Sequence, residues 1–178
     1  GIQREKMTWY SGRETAIEND RPEIANPGGT VSVEALRNQE RYWRDGGSAL
    51  RWDCLFMLPP WLGVWRSHFG QGLEAHLYVV RHNDAVLGVA PLSVRGDTAH
   101  LIGDSELIDY SDFIVAPSGE RNFFSLLFSH LRGEGIHRCD MGRIRADSAT
   151  LSFLRTYSAS LGCSLSCKTV DLLYEMDL

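Results

Sequence analysis

The run "AHLYVVRHNDAVLGVAPLSV", Ala75 to Val94, limits what this chain can fold into more than any other part of it. Ala75, Leu77 and Val79 alternate with His76, Tyr78 and Val80, so the apolar period is two rather than that of a helix. Asn83-Asp84 follows, a pair that tolerates the left-handed backbone of a tight turn, and a second Val- and Leu-rich run comes after it. The stretch predicts a β-hairpin, which needs further strands or a covering layer to be stable. "TAHLIG" supplies a short third strand and "ELIDYSDFIVAP" a fourth, so the hairpin extends into an antiparallel meander.

Beyond the meander the pattern changes. Phe123, Phe124, Leu126, Leu127, Phe128 and Leu131 make one segment apolar almost all round, as expected of a helix buried against a sheet. "RGEGIH", Arg132 to His137, reads as its C-terminal turn, and "HRCDMG" as a short strand. "DSATLSFLRTYSASLG" predicts a helix with Asp147 as N-cap and Gly162 just beyond its end, before a last strand or bent hairpin through "SLSCKTVDLLYEM". Upstream, Ser32 to Asp45 predicts an amphipathic helix capped by Ser32, with Val33, Leu36 and Trp43 on one side and a stop at Gly46-Gly47. Pro59-Pro60 opens a second helix that carries Trp61, Leu62, Trp65 and Phe69 as a stripe and ends at Gly70.

Residues 1–29 mix charges with Asn, Pro and Gly and show no sustained period, so they are expected to form a loose arm ahead of a domain spanning 30–178. Antiparallel strands followed by strand-helix-strand crossovers give an α/β class: a mixed, mostly antiparallel sheet with helices on both faces.

At 178 residues, 43% hydrophobic and 23% charged, the chain has the composition of one globular domain. A net charge of −5 with scattered Lys and Arg argues against nucleic acid and anionic membranes as partners. No run nears the roughly 18 apolar residues of a membrane span, and no signal-peptide pattern opens the chain, which predicts a cytoplasmic protein. Cys54, Cys139, Cys163 and Cys167 form no C-x-x-C pair and are expected buried and reduced, and the six histidines lie in no metal-binding context, so no metal is expected.

Two helices, a meander, then strand, helix, strand, helix, strand resembles the fold of the GCN5-related N-acetyltransferases. The wording "PPWLGVWRSHFG", "DAVLGVAPLSV", "LIGDSELIDYSDFIVAPSG" and "DLLYEMDL" is similar to the N-terminal half of bacterial cellulose-biosynthesis-type acyltransferases, themselves similar to the Fem-type aminoacyl transferases. The resemblance covers roughly Ser32 to Leu178. It implies acetyl-CoA or another acyl-CoA as cofactor and a small-molecule amine or amino sugar as acceptor. It also implies a possible second acyltransferase-like domain, with a homodimer as another arrangement.

Acyl transfer to an amine needs a grip on the cofactor pyrophosphate, a backbone N–H on the thioester carbonyl, and a route for protons. By resemblance the grip falls on "VAPSGERNFF", with Val115, Ser118, Gly119 and Arg121 as cofactor-binding residues. Only one glycine is present there, and Glu120 opposes an anion at the helix start, so the same residues suit a capped buried helix with Ser118 as N-cap. Tyr157 is the candidate proton donor to the leaving thiolate. It stands five residues before Gly162 where the superfamily pattern has four, a slip of about 100° around a helix that turns it toward the core.

The acidic turn around Asp104, Glu106, Asp109, Tyr110 and Asp112 offers Asp109 and Asp112 as a general base toward an amine or as an ionised site for a cationic substrate, although strand-end aspartates commonly hold turn amides instead. Trp61, Trp65 and Tyr110 are the candidate substrate-binding aromatics, although a stripe at helical spacing also suits a core. A non-catalytic acceptor- or partner-binding domain of the same fold is the competing reading, and a scaffold self-associating through the aromatic helix is a third.

Overall fold

Asn83 and Asp84 take φ of +48° and +66°, the two left-handed residues of a type I′ turn, and join the central hairpin as the sequence predicts. The structure is a computed structural model that describes residues 2–11, 28–45, 49–103 and 107–173. In chain order these form β1 (Ile2–Ser11), β2 (Gly29–Ala35), α1 (Gln39–Arg44), α2 (Pro59–His68), β3 (Ala75–His82), β4 (Ala85–Arg95), β5 (Thr98–Leu101) and β6 (Ile114–Val115). The remaining elements are α3 (Glu120–Gly133), β7 (Arg138–Arg145), α4 (Ala149–Tyr157) and β8 (Cys163–Leu173). The strands share one sheet in the order β2-β3-β4-β5-β7-β1-β8, with β6 also on β4, and every pairing is antiparallel except β5 with β7.

The hairpin shows why helices cover both faces. Leu77, Val79 and Val89 pack with Tyr42 of α1 and with Leu62 and Trp65 of α2. Tyr78, Val80, Ala90 and Leu92, one residue out of phase, pack with Phe123, Phe124 and Leu127 of α3 and with Leu151 and Leu154 of α4. A strand sandwiched in this way is apolar at odd and even positions alike. The α/β class with a mixed, mostly antiparallel sheet is the fold observed.

Several local expectations are corrected. Ile2–Ser11 is no loose arm: it is a strand between β7 and β8, held by ladders on both edges. Residues 12–27 of the expected arm lie outside the described residues. The expected helix from Ser32 to Asp45 is strand β2 up to Ala35, then a single 3₁₀ turn, Leu36–Asn38, and the short α1. Pairing with β3 across Gly29–Ala35 overrides the helical spacing, and the β-branched residues Thr30, Val31 and Val33 favour it. The fourth meander strand shrinks to Ile114–Val115, and its predicted start at Glu106 lies outside the described residues.

Two caps move by one residue. Ser148 caps α4 by accepting a hydrogen bond from the Leu151 amide, because Asp147 is tied to Arg145 instead. At α3 the cap position is Gly119, with no side-chain cap bond, and Ser118 sits in the left-handed region at φ +63°.

The feature that shapes the functional end is a break beside β4. Its second edge carries β5, from Arg95↔Thr98 to Leu92↔Leu101, and then β6, at Val89↔Ile114 and Gly88↔Val115. Between them, Ile102, Gly103 and residues 107–113 lie off the sheet. Pro91 lies opposite that gap and its carbonyl accepts from Ile102 N at 3.1 Å. A strand residue points both backbone groups to the same side, so a proline here faces the gap with no N–H to satisfy.

On the neighbouring strand, β7 pairs with β5 only as far as Asp140. A bulge follows, since Met7 and Thr8 of β1 face Gly142 and Asp140 and leave Met141 over, with Gly142 at φ +63°. Bulges bend a strand and raise its twist. The second half of β7 thus parts from β6, and Ser111 spans the opening, donating from N to Arg143 O (2.8 Å) and from Oγ to Met141 O (3.0 Å).

Candidate functional site

A cleft of about 290 Å³ lies where β6 and β7 part, at their C-terminal ends. Open α/β sheets bind ligands at such ends, where neighbouring strands diverge. One wall comes from the chain leading into β6, and the other from the end of β7 and the first turn of α4.

Asp112 stands at the meeting point. Its Oδ1 accepts from its neighbour's amide, Phe113 N, at 2.8 Å, and its Oδ2 accepts from Ser148 Oγ at 2.6 Å. Burial pushes its carboxyl above the usual carboxylate range, and the charge of Asp53 adds to this; hydrogen bonds from Ser148, Thr150 and the Phe113 amide pull the other way without cancelling it.

Two arginines face the same space, each held by a carboxylate. Arg145 clasps Asp147 through two bonds, Nε to Oδ1 at 2.9 Å and a terminal nitrogen to Oδ2 at 2.8 Å, and lies 5.4 Å from the centre of the Tyr110 ring. These bonds hold the guanidinium above and the Asp147 carboxyl below their ordinary ranges. Arg51 reaches Glu120 in the first turn of α3 at 2.6 Å. Arg51 offsets the Glu120 charge, whereas Arg121, expected at the cofactor, is exposed and outside the cleft. Four carboxylates, Asp53, Asp112, Glu120 and Asp147, line the cleft against two guanidinium groups, so it favours a cation.

Backbone geometry adds one more group. Ala116 N donates to Leu87 O at 2.8 Å, which makes that pair the hydrogen-bonded one and puts Val115 opposite Gly88 at a non-bonded position. Val115 therefore turns its amide edge away from β4, and its carbonyl accepts from Arg51 N at 3.3 Å on that side. Cys54 also lines the cleft, but burial pushes its thiol up to about 12, so at neutral pH it is no thiolate nucleophile.

Of the residues singled out in the sequence, the cleft gathers Tyr110, Asp112 and Val115. Asp109 is exposed outside it, and Tyr157 is 42% exposed on α4 with its ring stacked on Phe153 at 4.8 Å. The one-residue slip does turn Tyr157, toward Phe153 and solvent rather than into the core. Ser118 is exposed, and Gly119 is packed so closely that a Cβ would meet Ala116 O at 3.1 Å. Trp65 is buried in the core beneath α2. Trp61, 38% exposed, meets Phe56 edge-on at 5.1 Å, and Phe56 meets Tyr110 edge-on at 5.0 Å, so an aromatic shelf leads into the cleft.

Sequence reasoning missed Arg51, Asp53, Arg145 and Ser148 as site residues. A signal existed for two of them, because "RADS" lies at the junction between the predicted strand "HRCDMG" and the predicted helix that follows. Nothing local marks Arg51 or Asp53, which reach the cleft from an irregular segment.

No family model matches the chain, and no curated protein matches it. Among solved structures it is similar to a conserved protein of unknown function from Staphylococcus epidermidis, at 9% identity and a TM-score of 0.47 over 94% of this chain and 59% of that one. It is also similar to a candidate acetyltransferase from the GNAT family of Novosphingobium aromaticivorans, at 14% identity and a TM-score of 0.41 over 96% of this chain and 66% of that one. The chain thus spans less than two thirds of either protein. Among the described residues no group of His, Cys, Asp or Glu converges as metal ligands, and no helix is long and apolar enough to cross a membrane.

Proposed function

We propose that the chain is an acyl-CoA-dependent N-acyltransferase domain whose reaction takes place in the cleft between β6 and β7. The observation that carries this reading is the Val115 amide edge, turned away from β4 in the cleft that Asp112 also lines. An acyl-CoA supplies an activated thioester carbonyl. Val115 N–H is the donor for the negative charge that grows on a carbonyl oxygen, and fixed donors of this kind contribute most where water is excluded. Asp112, its carboxyl raised by burial, takes a proton from an attacking amine more readily than an ordinary carboxylate. Tyr110 beside Arg145 is the proton donor for a leaving thiolate, in the role the resemblance assigned to Tyr157. The anionic balance of the cleft suits a cationic acceptor, a small amine or an amino sugar such as polysaccharide biosynthesis uses.

The phosphate end fits less directly. Arg51 is the cation nearest the start of α3, and an anion there takes it from Glu120. That ion pair favours a second reading, a domain of the same fold that binds an acceptor without catalysis. Calorimetric titration with acetyl-CoA separates the two. Micromolar binding that is lost in Arg51→Glu, with unfolding temperature unchanged, supports the transferase; absence of heat up to millimolar ligand rejects it in favour of the second reading.

A further inference from the structure

Ser148 occupies a position its role as a helix cap does not explain. Its hydroxyl oxygen accepts from Leu151 N at 3.3 Å, which satisfies one amide of the first turn of α4. Its backbone N–H is already used by Arg145 O at 3.0 Å. A hydroxyl has one proton to give, and here it goes to Asp112 Oδ2 at 2.6 Å, within the range of a hydrogen bond to a charged acceptor. Capping alone leaves that proton free to point anywhere.

We propose that Ser148 is a positioning residue for Asp112: one hydroxyl both caps α4 and fixes the carboxylate, so that the N-terminus of α4 orients the Asp112 charge in the cleft. With Oδ2 engaged by Ser148 and Oδ1 by the Phe113 amide, the carboxylate plane is set from both sides. The lone pairs left over are the ones that can receive a proton from a ligand. The positive end of α4 reaches Asp112 through the Ser148 hydroxyl, with Thr150 of the same turn beside it.

The other groups facing Asp112 are Asp53 and Cys54 from the segment before α2, Tyr110 from its own loop, Arg145 and Asp147 from the end of β7, and Thr150 of α4. Of the hydroxyl and amide donors on Asp112, Ser148 is the one that also belongs to the cap, so its removal changes the helix and the carboxylate together. The role deepens the transferase reading and rests on it for its catalytic meaning, while the geometry can be tested without ligand.

The test follows the Asp112 carboxyl by carbon-detected NMR through a pH titration in wild type, Ser148→Ala, Ser148→Thr and Ser148→Asp, with thermal unfolding alongside. Loss of a hydrogen bond to the charged form moves the Asp112 midpoint upward in Ser148→Ala, by about one pH unit. Ser148→Thr restores the wild-type midpoint. Ser148→Asp keeps a capping side chain but sets a second carboxylate against Asp112, so its midpoint also rises while unfolding stays near wild type. Midpoints in Ser148→Ala and Ser148→Asp that match wild type overturn the proposal and leave Ser148 a cap only. If the midpoints move but acetyl-CoA gives no binding heat, the positioning role stands and the transferase reading falls.

Discussion

At the scale of single residues, the cleft is governed by how each charge is matched. Asp112 is the group whose environment leaves it out of balance, and this has a consequence for stability. Because burial raises its carboxyl, the folded chain holds that proton more tightly than the unfolded chain does. The stability Asp112 contributes is present below the usual carboxylate value and is lost as pH rises through its folded value. Asp112→Asn cannot titrate, so denaturant unfolding between about pH 4 and pH 8 should show the stability of the variant relative to wild type rising as pH increases and then levelling off at a constant difference.

The cysteines divide in the same way. Cys54 and Cys139 are buried, with thiols pushed up to about 12, whereas Cys167 is exposed. Brief alkylation near pH 8 followed by peptide mapping should label Cys167 well before either buried thiol. The sequence expectation of four buried cysteines fails at Cys167 because strand β8 alternates in burial from Cys163 to Ser166 and then stays exposed through Cys167.

At the scale of elements, legibility followed locality. The β3-β4 hairpin was readable because its turn chemistry and its period reside in the same residues. The breaks that shape the site carry no local signal of their kind: Pro91 sits in a strand with neighbours on both sides, and Met141-Gly142 form a bulge in β7. Strand β2 reads as a helix from its spacing because its partner β3 lies far along the chain, and spacing alone cannot register that pairing. Of the cleft residues, Tyr110 and Asp112 stand out in the sequence as an acidic turn and Val115 only by resemblance, whereas Arg51 and Asp53 arrive through tertiary placement. Gly88 tests the seam. A Cβ there would stand 2.6 Å from the Phe123 ring and 2.7 Å from Ile114 O, so Gly88→Ala must force β6 off β4 or α3 off the sheet. Urea unfolding should show a loss of about 1–3 kcal/mol, with the larger losses expected when backbone has to move.

At the scale of the whole molecule, the sheet is continuous only because its first strand comes home to its far side. Ile2–Ser11 lies between β7 and β8, so β8 reaches the rest of the sheet through β1. A variant lacking residues 1–11 should lose cooperative thermal unfolding, and circular dichroism in the near ultraviolet should lose the signature of fixed aromatics. The charge-rich text of that segment hid its role, because a strand with ladders on both edges can hold a composition that would not order alone. The same strand buttresses β7 along its full length, on the side away from the cleft, and so helps keep β7 parted from β6.

The central claim is that this parting presents the Val115 amide and the Asp112 carboxyl to an acyl thioester. Amide NMR of the ¹⁵N-labelled chain titrated with acetyl-CoA tests it most directly. The account predicts saturable shifts at Val115 that are larger than at the neighbouring Ile114, together with shifts around Arg51 and Asp112. Saturable shifts confined to the outer face of α4 around Tyr157, or none at Val115 at millimolar ligand, would contradict it.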